Sequence, residues 1–214
     1  QMTITVERIR EELTALSGSG KRLSTQRRNG LYSSITIDDF EDMKAVRETK
    51  KRFADFGVPD ILLGKTVLDL GSNVGAMSFE AAIRGATVDG VEFNNDRVAL
   101  CNLIATQYEL NAMFYQVDFN LDTLEQYEWH KPHDIVLCSS VDEYIENIPA
   151  FYMTMRILCK ETLYFECNVQ KGQSVQDTVN LLTEAGFHDV HYLGNGNSGG
   201  ISRKRKIYSA RGEV

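Results

Sequence analysis

The sequence predicts an α/β protein: a doubly wound, seven-stranded, mostly parallel sheet with one antiparallel strand near the C-terminus, helices on both faces, and an N-terminal helical extension. Three observations predict it. From Lys65 onward, strand-like apolar runs alternate with helical patterns, as parallel strands joined by crossover helices require. Val67-Leu68-Asp69-Leu70 runs into Gly71-Ser72-Asn73-Val74-Gly75, a buried strand that breaks at a glycine turn and opens into a helix. The last two strand-like runs are joined by Gly194-Asn195-Gly196-Asn197-Ser198-Gly199-Gly200 with no helical pattern between them, which makes them antiparallel neighbours.

Taken in order, Thr5 to Leu16 place Val6, Ile9, Leu13 and Leu16 at helical spacing. Ser17-Gly18-Ser19-Gly20-Lys21-Arg22 reads as a loop. Ile37-Asp38-Asp39-Phe40 reads as an N-cap launching a helix through about Phe56, with Phe40, Met43, Val46, Phe53 and Phe56 on its apolar face. Gly57 ends that helix and Pro59 follows, as expected past a terminus. Residues 1–62 then form a helical N-terminal extension or cap, and residues 63–214 the main domain. Strands are expected near 66–70, 87–92, 113–117, 134–139, 161–166, 188–193 and 204–210. Helices are expected near 74–84, 95–107, 121–128, 147–158 and 173–186.

With 214 residues, 43% hydrophobic and 25% charged, the chain is long enough and apolar enough for one generous domain with an extension. No apolar run approaches the ~18 residues of a membrane span, and the N-terminus lacks the apolar core of a signal peptide. A cytoplasmic protein with reduced thiols is expected. Cys101, Cys138, Cys159 and Cys167, and the four histidines, show no metal-ligand spacing, so no metal site is expected. The net charge of −7 is unevenly spread: residues 1–66 carry +2, residues 67–192 carry −13 and residues 193–214 carry +4. The body is acidic and both ends are basic. The run Arg203-Lys204-Arg205-Lys206 reads first as a charged edge strand.

The glycine turn and Glu92, which ends the run Thr87-Val88-Asp89-Gly90-Val91-Glu92, are spaced to hold an adenosine-bearing cofactor. Glycines let the backbone approach the ligand, and a carboxylate accepts from both ribose hydroxyls. The dinucleotide pattern G-x-G-x-x-G is broken by Asn73 and Ala76. Asp69 would repel a pyrophosphate, whereas S-adenosylmethionine is cationic at sulfur and carries no phosphate. The segment Asp69-x-Gly71-x-Asn73-x-Gly75 resembles motif I of the class I S-adenosylmethionine-dependent methyltransferases, in the form D-x-G-x-N-x-G. The likeness spans roughly residues 64–210.

The resemblance implies S-adenosylmethionine as cofactor and S-adenosylhomocysteine as product, held by Asp69, Gly71, Ser72, Asn73, Gly75, Glu92, Phe93, Asp118, Phe119 and Ser139. Asp69 would reach the methionine part, Glu92 the ribose diol, and Asp118 the adenine amino group, with Phe93 and Phe119 against the ring. Asp142, Glu143 and Tyr144 follow the fourth parallel strand, where the family places the transferring methyl; they are candidates for a catalytic base or for substrate orientation. The N/D-P-P-Y/F signature of adenine- and amide-directed members is absent from that position. Glu166 and Asn168, which end the next strand, and Arg47 and Arg52, on the helix before the first one, are candidate substrate contacts.

The expected function is therefore methyl transfer to an oxygen or nitrogen of a small-molecule acceptor, anionic if Arg47 or Arg52 meets it. A methyltransferase acting on tRNA or other RNA, gripping phosphates with Lys21-Arg22, Arg27-Arg28 and Arg203 to Lys206, is the alternative; the acidic net charge and the lack of an added RNA-binding module weigh against it. An NAD-dependent oxidoreductase is disfavoured by the broken glycine pattern. A cofactor-binding protein without catalysis is the remaining class.

Overall fold

The computed structural model describes residues 4–17, 30–167, 174–196 and 205–212. Two short strands, β1 (Leu31–Ser33) and β2 (Ala45–Arg47), pair in parallel beside helices α1 (Val6–Ser17) and α2 (Thr49–Phe56). The main sheet follows: β3 (Thr66–Leu70), β4 (Thr87–Glu92), β5 (Ala112–Gln116), β6 (His133–Ser139), β7 (Cys159–Cys167), β8 (His188–Gly196) and β9 (Arg205–Arg211). Between these strands lie α3 (Ala76–Ile83), α4 (Asn95–Gln107), α5 (Ile148–Leu158) and α6 (Val175–Glu184).

The seven strands lie in the order β5-β4-β3-β6-β7-β9-β8. β9 runs antiparallel to both β7 and β8, while β3 to β7 pair in parallel. From β3 the chain winds outward to β5, then crosses back to place β6 on the other side of β3. That reversal opens a crevice at the carboxyl ends of β3 and β6, where open α/β sheets hold ligands.

Neighbouring residues on a strand point to opposite faces, and the core divides accordingly. Leu68 and Val136 join Phe151, Leu182 and Trp129 in a core under α5 and α6. Val67 and Ile135 join Phe53, Met77 and Ala81 under α2 and α3. A third cluster ties α1 to α4 through Ile9, Leu13, Leu100 and Ile104. Both faces are thus covered, which is why the central strands are apolar throughout. Among the described residues no helix is long and apolar enough to cross a membrane. All four cysteines are buried thiols, and none is in a disulfide among the described residues.

The strands and α4 match the sequence expectation closely, but two expected helices do not form. The helix expected through Phe56 is divided into a 3-10 turn at Asp38–Phe40, then β2, then α2. Phe40, Met43 and Val46 have helical spacing, yet Leu31 N donates to Lys44 O (2.8 Å), drawing this segment into a ladder with β1. The start of α2 is fixed from outside: Thr49 N donates to Ser34 Oγ (2.9 Å) and Thr49 Oγ1 to Ser34 O (2.6 Å). The extension is therefore mixed, not wholly helical. The helix expected over 121–128 is reduced to a single 3-10 turn at Leu124–Gln126. There Asp118 and Asp122 bond the local backbone, Asn120 N to Asp118 Oδ1 (2.9 Å) and Asp118 N to Asp122 Oδ2 (2.6 Å). Such side-chain bonds compete with helix formation.

Candidate functional site

The turn after β3 is held in a form that few residues tolerate. Gly71, Asn73 and Gly75 have φ of 76°, 54° and 82°. At Gly71 a Cβ would lie 2.3 Å from Val141 Cγ2, so glycine is required for space as well as conformation. Gly71 N and Ser72 N both donate to Val91 O at 2.9 Å, tying the turn to the end of β4. Asn73 N donates to Glu92 Oε2 (3.0 Å), and Gly75 begins α3. The sequence expectation therefore places Asp69, Gly71, Ser72, Asn73, Gly75 and Glu92 around one crevice, and the structure brings them together there.

Two carboxyls line this side. Asp69 is 2% exposed, accepts from Ser78 Oγ (2.6 Å), and is pushed by burial up to about 6. Glu92 accepts from Asn73 N, from Asn94 N (3.1 Å) and from Arg97 Nη1 (3.1 Å). Arg97 also donates twice to Leu16 O, at 3.2 and 3.1 Å, which fastens the end of α1 to the same carboxylate. Neither Arg97 nor its bridging role was legible in the sequence. The buried Ser72 Oγ, Asn73 Oδ1 and Ser139 Oγ have no hydrogen-bond partner among the described residues. Buried polar atoms are nearly always paired, so three orphans around one crevice mark a place for ligand polar groups.

Farther along the strand ends, Phe93 is 67% exposed beyond Glu92. Asp118 caps its own loop, and Phe119 packs edge-on against Phe151 with centroids 5.2 Å apart. Beside Phe119 a cavity of about 150 Å³ opens, lined also by Asn120, Leu124, Ile145 and Phe151.

The three candidates after β6 diverge. Asp142 is 5% exposed and accepts from Cys167 Sγ at 3.3 Å. Glu143 is exposed, and Tyr144 is 70% exposed. Burial and a hydrogen bond to Glu143 raise the Tyr144 phenol, while the nearby Arg205 charge opposes the rise.

The strand ends beyond β6 hold a second constellation. Glu166, 1% exposed, takes both ends of the Arg47 guanidinium at 2.7 Å. Its Oε1 also accepts from Arg52 Nη2 (3.4 Å), Arg205 Nη1 (3.1 Å) and Ser140 Oγ (2.6 Å). Arg205 also donates to Ser140 Oγ. Burial pushes the Glu166 carboxyl up, but the charges of Arg52 and Arg47 and the Ser140 hydrogen bond outweigh it and hold it well below the usual carboxylate range. The Tyr32 ring lies 6.0 Å from Arg47 and 5.8 Å from Arg205, ring centroid to guanidinium carbon.

Glu166, Arg47 and Arg52 are thus brought together, with the arginines buried rather than on a solvated helix face; Arg47 belongs to β2 and not to the helix. Asn168 lies outside the described residues, as do Lys21, Arg22, Arg27, Arg28, Arg203 and Lys204. Tyr32 and Ser140 are members that the sequence did not single out, and Arg205 is expected from the sequence only on a charged edge strand or as part of a phosphate grip. The charged-edge expectation for β9 is corrected here: β8 is the edge strand, and β9 lies between β7 and β8. An interior β9 brings Arg205 against Glu166.

Comparison with known proteins gives the family and the fold. Residues 62–188 match a family model described as a methyltransferase domain. A curated relative, the ubiquinone biosynthesis O-methyltransferase of Paramagnetospirillum magneticum, is 32% identical over 102 residues. That match covers 46% of this chain and 39% of the relative, so the aligned part spans well under half of that enzyme. Among solved structures, the magnesium protoporphyrin IX methyltransferase from Synechocystis PCC 6803 with bound SAM superposes with a TM-score of 0.64 and 17% identity, covering 99% of each chain. Phosphoethanolamine N-methyltransferase 2 of Haemonchus contortus, in complex with S-adenosyl-L-methionine, gives 0.60 and 12%, covering 78% of this chain and 52% of that one. At these identities the likeness is one of fold.

Proposed function

Because the chain belongs to the methyltransferase-domain family matched over residues 62–188, we propose that it is an S-adenosylmethionine-dependent methyltransferase acting on an oxygen or nitrogen of a small-molecule acceptor. The observation that carries this reading is the glycine turn with its buried, unpartnered Ser72 Oγ and Asn73 Oδ1, tied through Asn73 N to the Glu92 carboxylate. The residues present fit the cofactor: Glu92 would hold the ribose diol, Asp69 the cationic methionine end, and Phe93, Asp118 and Phe119 the adenine. When bound, S-adenosylmethionine supplies an electrophilic methyl carbon on a positively charged sulfur.

The chain's own residues have two tasks. The turn and the β6 end align the acceptor for in-line displacement and keep water out. For a hydroxyl or protonated amine, a base must also take the proton. Exposed Glu143 and Tyr144 are the groups that would take it, while Asp142 holds the turn from inside through Cys167. The segment over residues 1–62 acts as a cap, fastened by Arg97 between Leu16 O and Glu92. An RNA acceptor is the weaker reading, since Arg205 of the C-terminal basic run is turned inward to Glu166 rather than outward to a phosphate backbone.

The test is calorimetric titration of S-adenosylmethionine, S-adenosylhomocysteine and NAD into wild type, Glu92→Ala and Arg97→Ala. Micromolar binding of the first two, about −8 kcal/mol, is expected in wild type with NAD silent. Glu92→Ala should weaken it more than Arg97→Ala, because only the first removes the ribose acceptor. Binding of NAD, or equal affinity in Glu92→Ala and wild type, would overturn the assignment.

A further inference from the structure

At the ends of β6, β7 and β9, three guanidinium groups converge on a single buried carboxylate. Glu166 Oε1 receives four donors: Arg47 at 2.7 Å, Ser140 Oγ at 2.6 Å, Arg205 at 3.1 Å and Arg52 at 3.4 Å. A carboxylate oxygen offers about two lone pairs, so the donors outnumber what it can accept. Charge is out of balance in the same sense. Arg47 and Arg52 are each 4% exposed and Arg205 is 16% exposed, and among the described residues Glu166 is the carboxylate that all three share. Asp69, the other buried carboxyl whose charge reaches Arg52, is pushed by burial up to about 6 and adds one further negative charge at neutral pH, which leaves three guanidinium groups facing two carboxylates. Uncompensated buried charge costs several kcal/mol, so a surplus of buried cations points to an anion that arrives with a ligand.

Two further observations say where that anion goes. Arg52 Nε and Arg205 Nε are buried without a hydrogen-bond partner among the described residues. Tyr32 walls the cluster on one side, in cation–π reach of Arg47 and Arg205. Tyr144, mostly exposed and within the field of Arg205 and Tyr32, marks the open side. Ser140 follows directly on Ser139, whose orphan hydroxyl belongs to the crevice, and Val141 touches the glycine turn. The cluster therefore borders the cofactor crevice at the β6 end rather than lying elsewhere on the molecule.

We propose that Arg47, Arg52 and Arg205 form a receptor for an oxyanion carried by the methyl acceptor, a carboxylate or a phosphate. Glu166 and Ser140 are its internal scaffold: they hold the guanidinium groups in place before the anion arrives. Arg205, the outermost of the three, meets the ligand first. This inference rests on the methyltransferase reading above for the word acceptor. The receptor itself rests only on the arginine cluster. A carboxylate could instead come from the amino-acid part of the cofactor, and the experiment separates the two sources.

The full chain, labelled with ¹⁵N-arginine, is titrated with inorganic phosphate and with benzoate at ionic strength matched by chloride. Titrations are run without ligand, with saturating S-adenosylhomocysteine, and with saturating 5′-methylthioadenosine, which lacks the amino-acid carboxylate. The expected result is a saturable shift of the Arg52 and Arg205 Nε–H signals by at least one anion, with S-adenosylhomocysteine present. In Arg205→Gln the anion affinity should fall by roughly tenfold or more, the effect of losing a charge-assisted hydrogen bond, while S-adenosylhomocysteine affinity is kept. Absence of a saturable shift in wild type overturns the receptor, as does unchanged anion affinity in a folded Arg205→Gln. Competition of the anions with S-adenosylhomocysteine, but not with 5′-methylthioadenosine, overturns the acceptor assignment and gives the cluster to the cofactor's carboxylate. Failure of S-adenosylhomocysteine to bind would instead sink the methyltransferase reading, and the ligand-free titration would still decide the receptor.

Discussion

Glu166→Gln keeps the shape of the side chain and removes the one negative charge shared by three arginines. Glu166 is 1% exposed and takes a two-pronged contact from Arg47 at 2.7 and 2.7 Å. Breaking a buried pair from one side costs about 3–5 kcal/mol, because the partner charge is left uncompensated. For a chain of this size that corresponds to a fall in Tm of about 6–20 °C. Urea unfolding followed by circular dichroism at neutral pH measures the loss directly. The pH dependence gives a sharper check. The folded carboxyl lies well below its ordinary value of 4.5, so its contribution is present above pH 4.5 and is lost as the pH falls toward the folded value. Wild type and variant should therefore converge as the pH is lowered below 4.5. A loss under about 1 kcal/mol, or a gap that stays constant into acid, would refute a strained, charge-dependent cluster and leave Glu166 an ordinary polar contact.

Asp69 should show the opposite pH dependence. Its folded pKa is raised from 3.8 to about 6, so its contribution is fully present below 3.8 and is lost as the pH rises through 6. Asp69→Asn should then gain about 3 kcal/mol on wild type between buffer below pH 3.8 and buffer above pH 6 in urea unfolding; a difference flat across that range counts against a buried, reluctant carboxylate. Gly71→Ala should cost about 2–4 kcal/mol in the same assay, from a contact 2.3 Å from Val141 Cγ2 and a φ of 76°. Adding Val141→Ala should recover the steric part, and strict additivity of the two changes would show that the clash is not the cause.

The cofactor side was legible because its signals are local. Gly71 and Gly75 are needed by the turn itself, Glu92 ends the adjacent strand, and both lie within one strand-helix-strand unit. Parallel strands β3 and β6 are mostly buried and largely apolar, and β4 ends at the acid Glu92 after a glycine, so the strand bounds are near-correct. The anionic side was only half legible. Arg47 and Glu166 are 119 residues apart and meet through pairing that no periodicity records. The same non-locality explains the missed β1–β2 ladder, which uses Leu31 and Lys44 backbone groups rather than a side-chain pattern. The loss of the helix expected over 121–128 is different: Asp118 and Asp122 are sequence-visible competitors for the backbone, and their local bonds outweigh the helical periodicity.

Arg205 shows most directly how a sound local argument fails. Alternating Arg and Lys on a final strand reads well as protection of an exposed edge, but that reading assumes the last strand in sequence is the last in space. Here β9 inserts between β7 and β8, so β8 takes the solvent edge and Arg205 faces Glu166. Topology thereby sorts charge along the strand ends. Asp69 and Glu92, the latter paired with Arg97, line the β3–β4 side, while Arg47, Arg52 and Arg205 gather around Glu166 on the β6–β7–β9 side, a division that the net charge of −7 does not reveal. If the proposed receptor holds an anionic acceptor at the second side, it meets the cationic cofactor at the boundary where Val141 touches Gly71. On this reading the field across the crevice orients the two reactants toward one another before any residue acts on a proton. Alignment by fixed charges, rather than a dedicated base, is then the larger part of what the chain supplies.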